Sequence, residues 1–307
     1  MKSFSALSSA CHRVASVPRV WFIFWFFQFL LSAIVVAPLA ALFIDNPGQN
    51  LLSSELQQYF DVEWGFEAYM YFHGAPLTSL LISAAVALLL ALLGQVLLAG
   101  GAIALFTDNS ASYSVQDYYR NCGRYFWRFF RLLLIALACY ALLFAFSSAL
   151  HKIAVKIWGE GMEARPLVYF GRARGVLVLA LFLFLNAVFD FAKVRIVAEN
   201  RRSACGAAVW ALRFVLRHFF TIALLFATLT LCGVVLAAAY LGLDAIFPRT
   251  HLAAVLLLAL IQQFALLMRI VLRLTFWAAE TNLYNDLNPP YRPAEIAPVG
   301  LSSEVVP

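Results

Sequence analysis

The sequence predicts an all-α fold, a polytopic membrane bundle of six transmembrane helices. Three observations carry that expectation. The chain of 307 residues is 64% hydrophobic and only 12% charged, whereas a soluble domain carries roughly 25% charged residues. Several apolar runs exceed the ~20 residues a helix needs to cross a bilayer, and no series of short alternating strands competes with them. The basic residues behind the net charge of +6 stand at the ends of those runs and form no separate domain. That distribution suits a membrane protein and argues against nucleic acid as a partner.

In chain order, residues 1–18 are expected to form a short interfacial elbow helix, because Phe4, Leu7, Cys11 and Val14 recur at helical spacing. The first span covers about 20–44 and opens with the aromatic block Trp21–Phe27, suited to the headgroup region. Lys2, Arg13 and Arg19 before an apolar run resemble a signal peptide, but the run is longer than a signal core and reads as a retained helix. Residues 45–75 contain Asp45, Glu55, Asp61, Glu63 and Glu67 and no Lys or Arg; an amphipathic outer-face helix is expected at 51–66, with Leu52, Leu56, Phe60 and Trp64 on one side.

The second span is placed at 77–106, where Gly100 and Ala104 give a small-xxx-small pair for close packing. The remaining spans are placed at 129–150, 175–197, 219–243 and 252–279, all within one domain, 1–285. The proline-rich residues 286–307 read as a disordered cytoplasmic tail. With both termini inside, 16 Lys and Arg fall on inner segments against 6 outside. The bias favours that orientation, in a cell membrane of the bacterial inner-membrane type. The basic segment 152–174 is the one feature against it.

The spans also suggest three helical hairpins, each preceded by a basic elbow. Arg124-Tyr125-Phe126-Trp127-Arg128 can be laid on Arg213-Phe214-Val215-Leu216-Arg217, and the helix ends Ala198-Glu199 and Ala279-Glu280 correspond. Through the segments Arg124–Leu134, Arg213–Leu224, Phe189–Asn200 and Trp277–Asn282, the chain resembles bacterial six-helix integral membrane domains of uncharacterised role. Among these is the membrane domain fused to some glycerophosphodiester phosphodiesterases. The resemblance implies a six-helix membrane fold and carries over no activity and no functional residue.

Charge inside lipid marks the candidate site. Asn186, Asp190 and Lys193 share a face of the fourth span, with Asp190 about 22 Å from its expected start at 1.5 Å per residue. An ionisable group at that depth reads either as an ion or proton site or as a structural ion pair. With one acid inside the predicted spans, the structural pair is preferred. Arg269, Arg273 and Glu280 share a face of the sixth span. Arg273 is a candidate partner for Asp190 or Glu199, and Arg195 for Glu199 or Glu280, giving a charged belt between the fourth and sixth spans.

Gln28, Gln95, Gln262 and Gln263 suit interhelical hydrogen bonds. His73, His151 and His251 fall at outer helix ends without a close ligand spacing, so neither a metal nor another cofactor is expected. The five cysteines show no CxxC spacing, and neither an HExxH, a GxSxG nor a Walker-type loop occurs. The sequence therefore reads as non-catalytic: a scaffold, an assembly partner of a membrane protein or of its own copies, or a lipid-interacting protein. Its cytoplasmic face would hold anionic headgroups through Arg120, Arg124, Arg128, Arg201, Arg202, Arg213 and Arg217. The alternative is a small transporter or channel with Asn186, Asp190 and Gln262 along its path.

Overall fold

The computed structural model describes residues 2–45, 75–108, 114–158, 164–246 and 252–288. The expected outer-face helix at 51–66, His73, His251 and residues 289–307 of the expected tail lie outside them. The described residues form eight helices: α1 (Lys2–Ala15), α2 (Pro18–Asp45), α3 (Ala75–Thr107), α4 (Val115–Trp158), α5 (Ala164–Ala198), α6 (Ala204–Arg217), α7 (Phe219–Ile246) and α8 (Leu252–Leu287). Six of them, α2, α3, α4, α5, α7 and α8, are long and apolar enough to cross a bilayer. The chain is a multi-pass, all-α membrane protein.

The two short helices, α1 and α6, are each 14 residues long and lead into spans. Pro18 opens α2, where its missing N–H is not needed by the helix. The turn from α5 to α6 is set by Asn200, whose φ of 51° is the left-handed conformation that asparagine tolerates best among residues with a side chain. Ser203 then caps α6, its Oγ accepting from the Gly206 N–H at 3.2 Å. No such punctuation precedes the third span. Residues 115–128 run straight into it as one helix of 44 residues, so the middle elbow expected from the sequence is continuous with its span.

Helix ends differ from expectation in the same direction elsewhere. α4 continues to Trp158 and α5 starts at Ala164, so much of the segment expected as an outer loop is helical. α8 runs to Leu287, past the expected end at 279 and into the expected tail at 286.

The buried residues lie towards the end of the bundle that carries α1 and α6. Most of them fall between Val96 and Phe106 on α3, Tyr118 and Ala136 on α4, Ala187 and Val197 on α5 and Ile270 and Tyr284 on α8, with Ile222, Leu225 and Leu229 on α7. The opposite halves of the spans present exposed apolar side chains such as Leu81, Leu88, Leu142, Val176, Val235 and Leu260. There lipid takes the place of protein neighbours.

Close helix approach explains the packed end. A Cβ on Gly101 would come within 2.5 Å of the Cys122 Sγ and 2.7 Å of the Tyr118 ring, and one on Gly100 within 3.1 Å of the Tyr125 Cβ. The glycines let α3 and α4 meet at backbone distance. Tyr118 completes the joint by donating to the Leu98 carbonyl at 3.1 Å. α1 ties the bundle shut: Arg13 donates to the Phe106 carbonyl of α3 at 2.7 Å and to Asn282 of α8 at 3.4 Å. Asn282 donates in turn to the Ser9 hydroxyl at 3.0 Å.

Candidate functional site

Two charged knots sit where α5 and α8 meet at the packed end. The deeper one is built on Asp190, which has no accessible surface. Lys193, one turn further along α5, donates to Asp190 Oδ1 at 2.7 Å, and Arg273 of α8 reaches the same oxygen at 3.5 Å. The i,i+3 spacing makes the first contact local to the helix, with the acid on the favoured N-terminal side. The second crosses between helices. Arg273 also lies over the Trp277 ring at 5.0 Å, so its guanidinium is held between a carboxylate and an aromatic face.

The shallower knot gathers on Glu199, just beyond the end of α5. Arg195 and Arg201 donate to its Oε2 at 3.1 and 3.0 Å, and the Tyr284 hydroxyl of α8 donates to its Oε1 at 2.8 Å. Partial burial pushes the Glu199 carboxyl up, but the hydrogen bonds from Tyr284, Arg201 and Arg195, with the Arg195 charge, outweigh it. They hold Glu199 below the ordinary carboxylate range. Arg195 lies over the Trp210 ring of α6 at 4.3 Å, Trp210 stacks on Phe214 at 4.8 Å, and Tyr284 packs edge-on to Trp210 at 5.7 Å. Three helices therefore share one aromatic and ionic joint.

Of the candidates read from the sequence, Asp190, Lys193 and Arg273 meet in one cluster and Arg195 and Glu199 in the other. Arg269 is exposed and makes no ion pair among the described residues. Asn186 is half-buried one turn above Asp190. Gln263 accepts from the Trp25 indole at 3.1 Å, an interhelical hydrogen bond, while Gln95 and Gln262 are exposed on the periphery.

Glu280 requires a correction. The sequence placed it just past the sixth span, as a member of an interfacial belt and a candidate partner of Arg195. It lies inside α8, within the apolar stretch Leu256–Leu287, and is fully buried. No described cation lies within ion-pair distance of it, and both carboxylate oxygens lack a hydrogen-bond partner. Two fully buried acids, Asp190 and Glu280, therefore lie within the described spans, where the sequence was read as holding one. The reason is helix length: α8 continues for two turns beyond the point where polar residues first reappear.

Sequence reasoning missed Tyr284, Trp277, Trp210 and Asn200. The i,i+4 spacing of Arg273 and Trp277, and that of Glu280 and Tyr284, was a usable sign that the face of α8 continues past Glu280.

The basic residues proposed for lipid contact divide. Arg128 donates to the Asn200 side chain at 2.7 Å, Arg201 serves Glu199, Arg120 stands 3.8 Å from Asp117, and Arg124 lies over the neighbouring Tyr125 ring. Arg202, Arg213 and Arg217 are exposed. Between α5 and α7 an apolar furrow of about 480 Å³ is lined by Phe184, Ala187, Val215, Phe219, Ala223 and Ala227, among others. It continues along α7 to Val234.

No family model matches the chain, and neither a curated protein nor a solved structure does. The geometry alone carries the functional argument.

Proposed function

We propose that this is a non-catalytic, lipid-interacting protein of the bacterial inner membrane, with both termini on the cytoplasmic side. The observation that carries the reading is the apolar furrow between α5 and α7, whose wall includes Val215 of α6, the helix that also carries the exposed Arg213 and Arg217. From Phe219 to Val234 the furrow follows about 22 Å of helix, more than one leaflet's share of a ~30 Å hydrocarbon core. Its occupant is one acyl chain of an anionic phospholipid. Arg213 and Arg217 hold the headgroup, each contributing about 1 kcal/mol at such a surface. Scaffolding of a second membrane protein, or of a second copy, is the wider form of the same role.

The transporter reading asks Asn186, Asp190 and Gln262 to line one path. Gln262 is on the exposed periphery and Asp190 has no accessible surface. The lipid reading makes the simpler demand.

Native mass spectrometry of protein released from nanodiscs tests it. Wild type retains anionic phospholipid over a zwitterionic competitor. Arg213→Gln with Arg217→Gln weakens retention roughly fivefold per arginine. Ala223→Leu with Ala227→Leu, which fills the furrow, reduces retention without changing the arginines. Equal retention of anionic and zwitterionic lipid by wild type would sink the reading.

A further inference from the structure

Glu280 presents an unusual balance. It is fully buried in a membrane-spanning helix, and neither of its carboxylate oxygens has a partner. Asp190, equally buried, gives both of its ion pairs to Oδ1 and leaves Oδ2 unpartnered. Three buried carboxylate oxygens at the α5–α8 crossing thus lack a donor. The indole N–H of Trp277, one turn from Glu280, lacks an acceptor as well. Burying carboxylate oxygens without a compensating charge or donor is among the costliest arrangements in a protein, and more so within a bilayer. A buried carboxylate so placed is satisfied by taking up a proton or a bound cation.

The ligand's chemistry follows from the neighbours. The charged groups that act on Glu280 are Asp190 and Lys193 of α5 and Arg273 of its own helix. α3 has no Asp, Glu, Lys or Arg, and the acids of α2 and α7, Asp45 and Asp244, stand at the opposite ends of those helices. α1 has no acid, and its Arg13 is committed to Phe106 and Asn282. Lys193 and Arg273 are 25% and 35% exposed, so their charges reach the surface, while both carboxylates are 0% exposed. The interior of the crossing therefore keeps the oxygens and sends the fixed cations outward.

We propose that the α5–α8 crossing is a binding site for a single monovalent cation, a proton or an alkali-metal ion, carried by the Glu280 carboxylate. Asp190 takes part through Oδ2, and Lys193 and Arg273 limit the site to one positive charge by repelling a second. A water between the site and Trp277 would supply the acceptor that its N–H lacks. This role is independent of the lipid furrow, which shares no residue with the site.

Melting curves in nanodiscs test the proposal, because an ion that binds only the folded state raises the melting temperature with the logarithm of its concentration. Wild type and Glu280→Gln are compared in sodium, potassium and choline chloride, each on the acidic and alkaline sides of neutrality. An alkali ion gives a wild-type rise on the order of a few degrees per hundredfold increase over choline, lost in Glu280→Gln. A proton gives a wild-type pH dependence that is the same in all three salts and is lost in Glu280→Gln. Identical salt and pH responses in the two proteins overturn the site. Should Glu280→Gln fail to fold, Glu280→Met keeps the volume, removes the buried polar group and serves in its place. If neither variant folds, a wild type whose melting responds to neither pH nor alkali ion overturns the proposal by itself.

Discussion

Asp190 shows how a charge is kept inside an apolar helix. Its carboxylate is fully buried, but both of its cations reach outward along flexible stems. Deleting the acid and deleting the cations are therefore unequal. Asp190→Ala costs about 1–3 kcal/mol, the loss of charge-assisted hydrogen bonds from partners that can turn to water. Lys193→Ala combined with Arg273→Ala strands a buried carboxylate and costs more, about 3–5 kcal/mol. Chemical denaturation in detergent gives both values, and the reverse order would rule out this division of exposure. In the cycle of Asp190→Ala with Arg273→Ala, a coupling of about 0.5–3 kcal/mol is expected, and strict additivity would remove the direct pair.

Glu199 makes a prediction of opposite character, because it titrates. Its carboxyl is held below the ordinary value of 4.5 in the folded state. The stability it adds is present in full above 4.5 and is lost as pH falls through the lowered value. Melting temperature should therefore drop on acidification below 4.5, and Glu199→Gln should remove part of that drop. Tyr284→Phe, which takes away one donor, should move the drop to higher pH.

At the scale of elements, α3 and α4 are joined where glycine leaves no side chain between them. Gly101→Ala forces the Cys122 Sγ and Tyr118 ring to move, and the expected loss is about 1–3 kcal/mol from overpacking. Gly123 on α4 is the control, since a Cβ there meets nothing within 4 Å. Gly123→Ala should be neutral or stabilising by up to ~1 kcal/mol, as for any open helical glycine. Equal losses at the two positions in thermal melts would refute close packing at Gly101.

The spans themselves were legible because runs of Leu, Ala, Val and Phe have no other use at such length. The helix ends were less so. Asn200, with its left-handed backbone, stops α5 close to where the polar residues begin, but nothing comparable stops α8 at Glu280. The same Ala-Glu pair is thus an end in one helix and an interior in the other. No local pattern separates the two, because the difference lies in α1, which packs along the last turns of α8 and keeps them buried.

For the whole molecule, the uneven distribution of burial divides mechanical roles. The packed end is a fixed base, and the opposite halves of the spans are held mainly by lipid. Bilayers of different thickness should then change helix tilt at the free halves and leave the base unchanged. Spin labels at Leu179 and Val235, in a background with the native cysteines replaced, should report distances that shift between thin and thick nanodiscs. Labels at Arg201 and Arg217 should not. Equal shifts in both pairs would show a bundle that tilts as one body. The candidate site was readable only in part for a related reason. Asp190 and Lys193 are neighbours on one helix, but the base is assembled from α1, α3, α4, α5, α6 and α8, which the order of residues alone does not bring together.

That assembly has a consequence for the order of synthesis. Asp190 enters the membrane long before Arg273 has been made, yet Lys193 is already beside it, so α5 carries its own counter-ion during insertion. Arg13 has no such local partner: its contact with Asn282 spans 269 residues of chain. Its contact with Phe106 can form once α3 is made, but the tie from α1 to α8 must wait until α8 has been inserted. A molecule in which α8 is not yet inserted would leave Ser9 and Arg13 of α1 without their Asn282 partner, a feature by which a membrane protease could tell an unclosed bundle from a closed one.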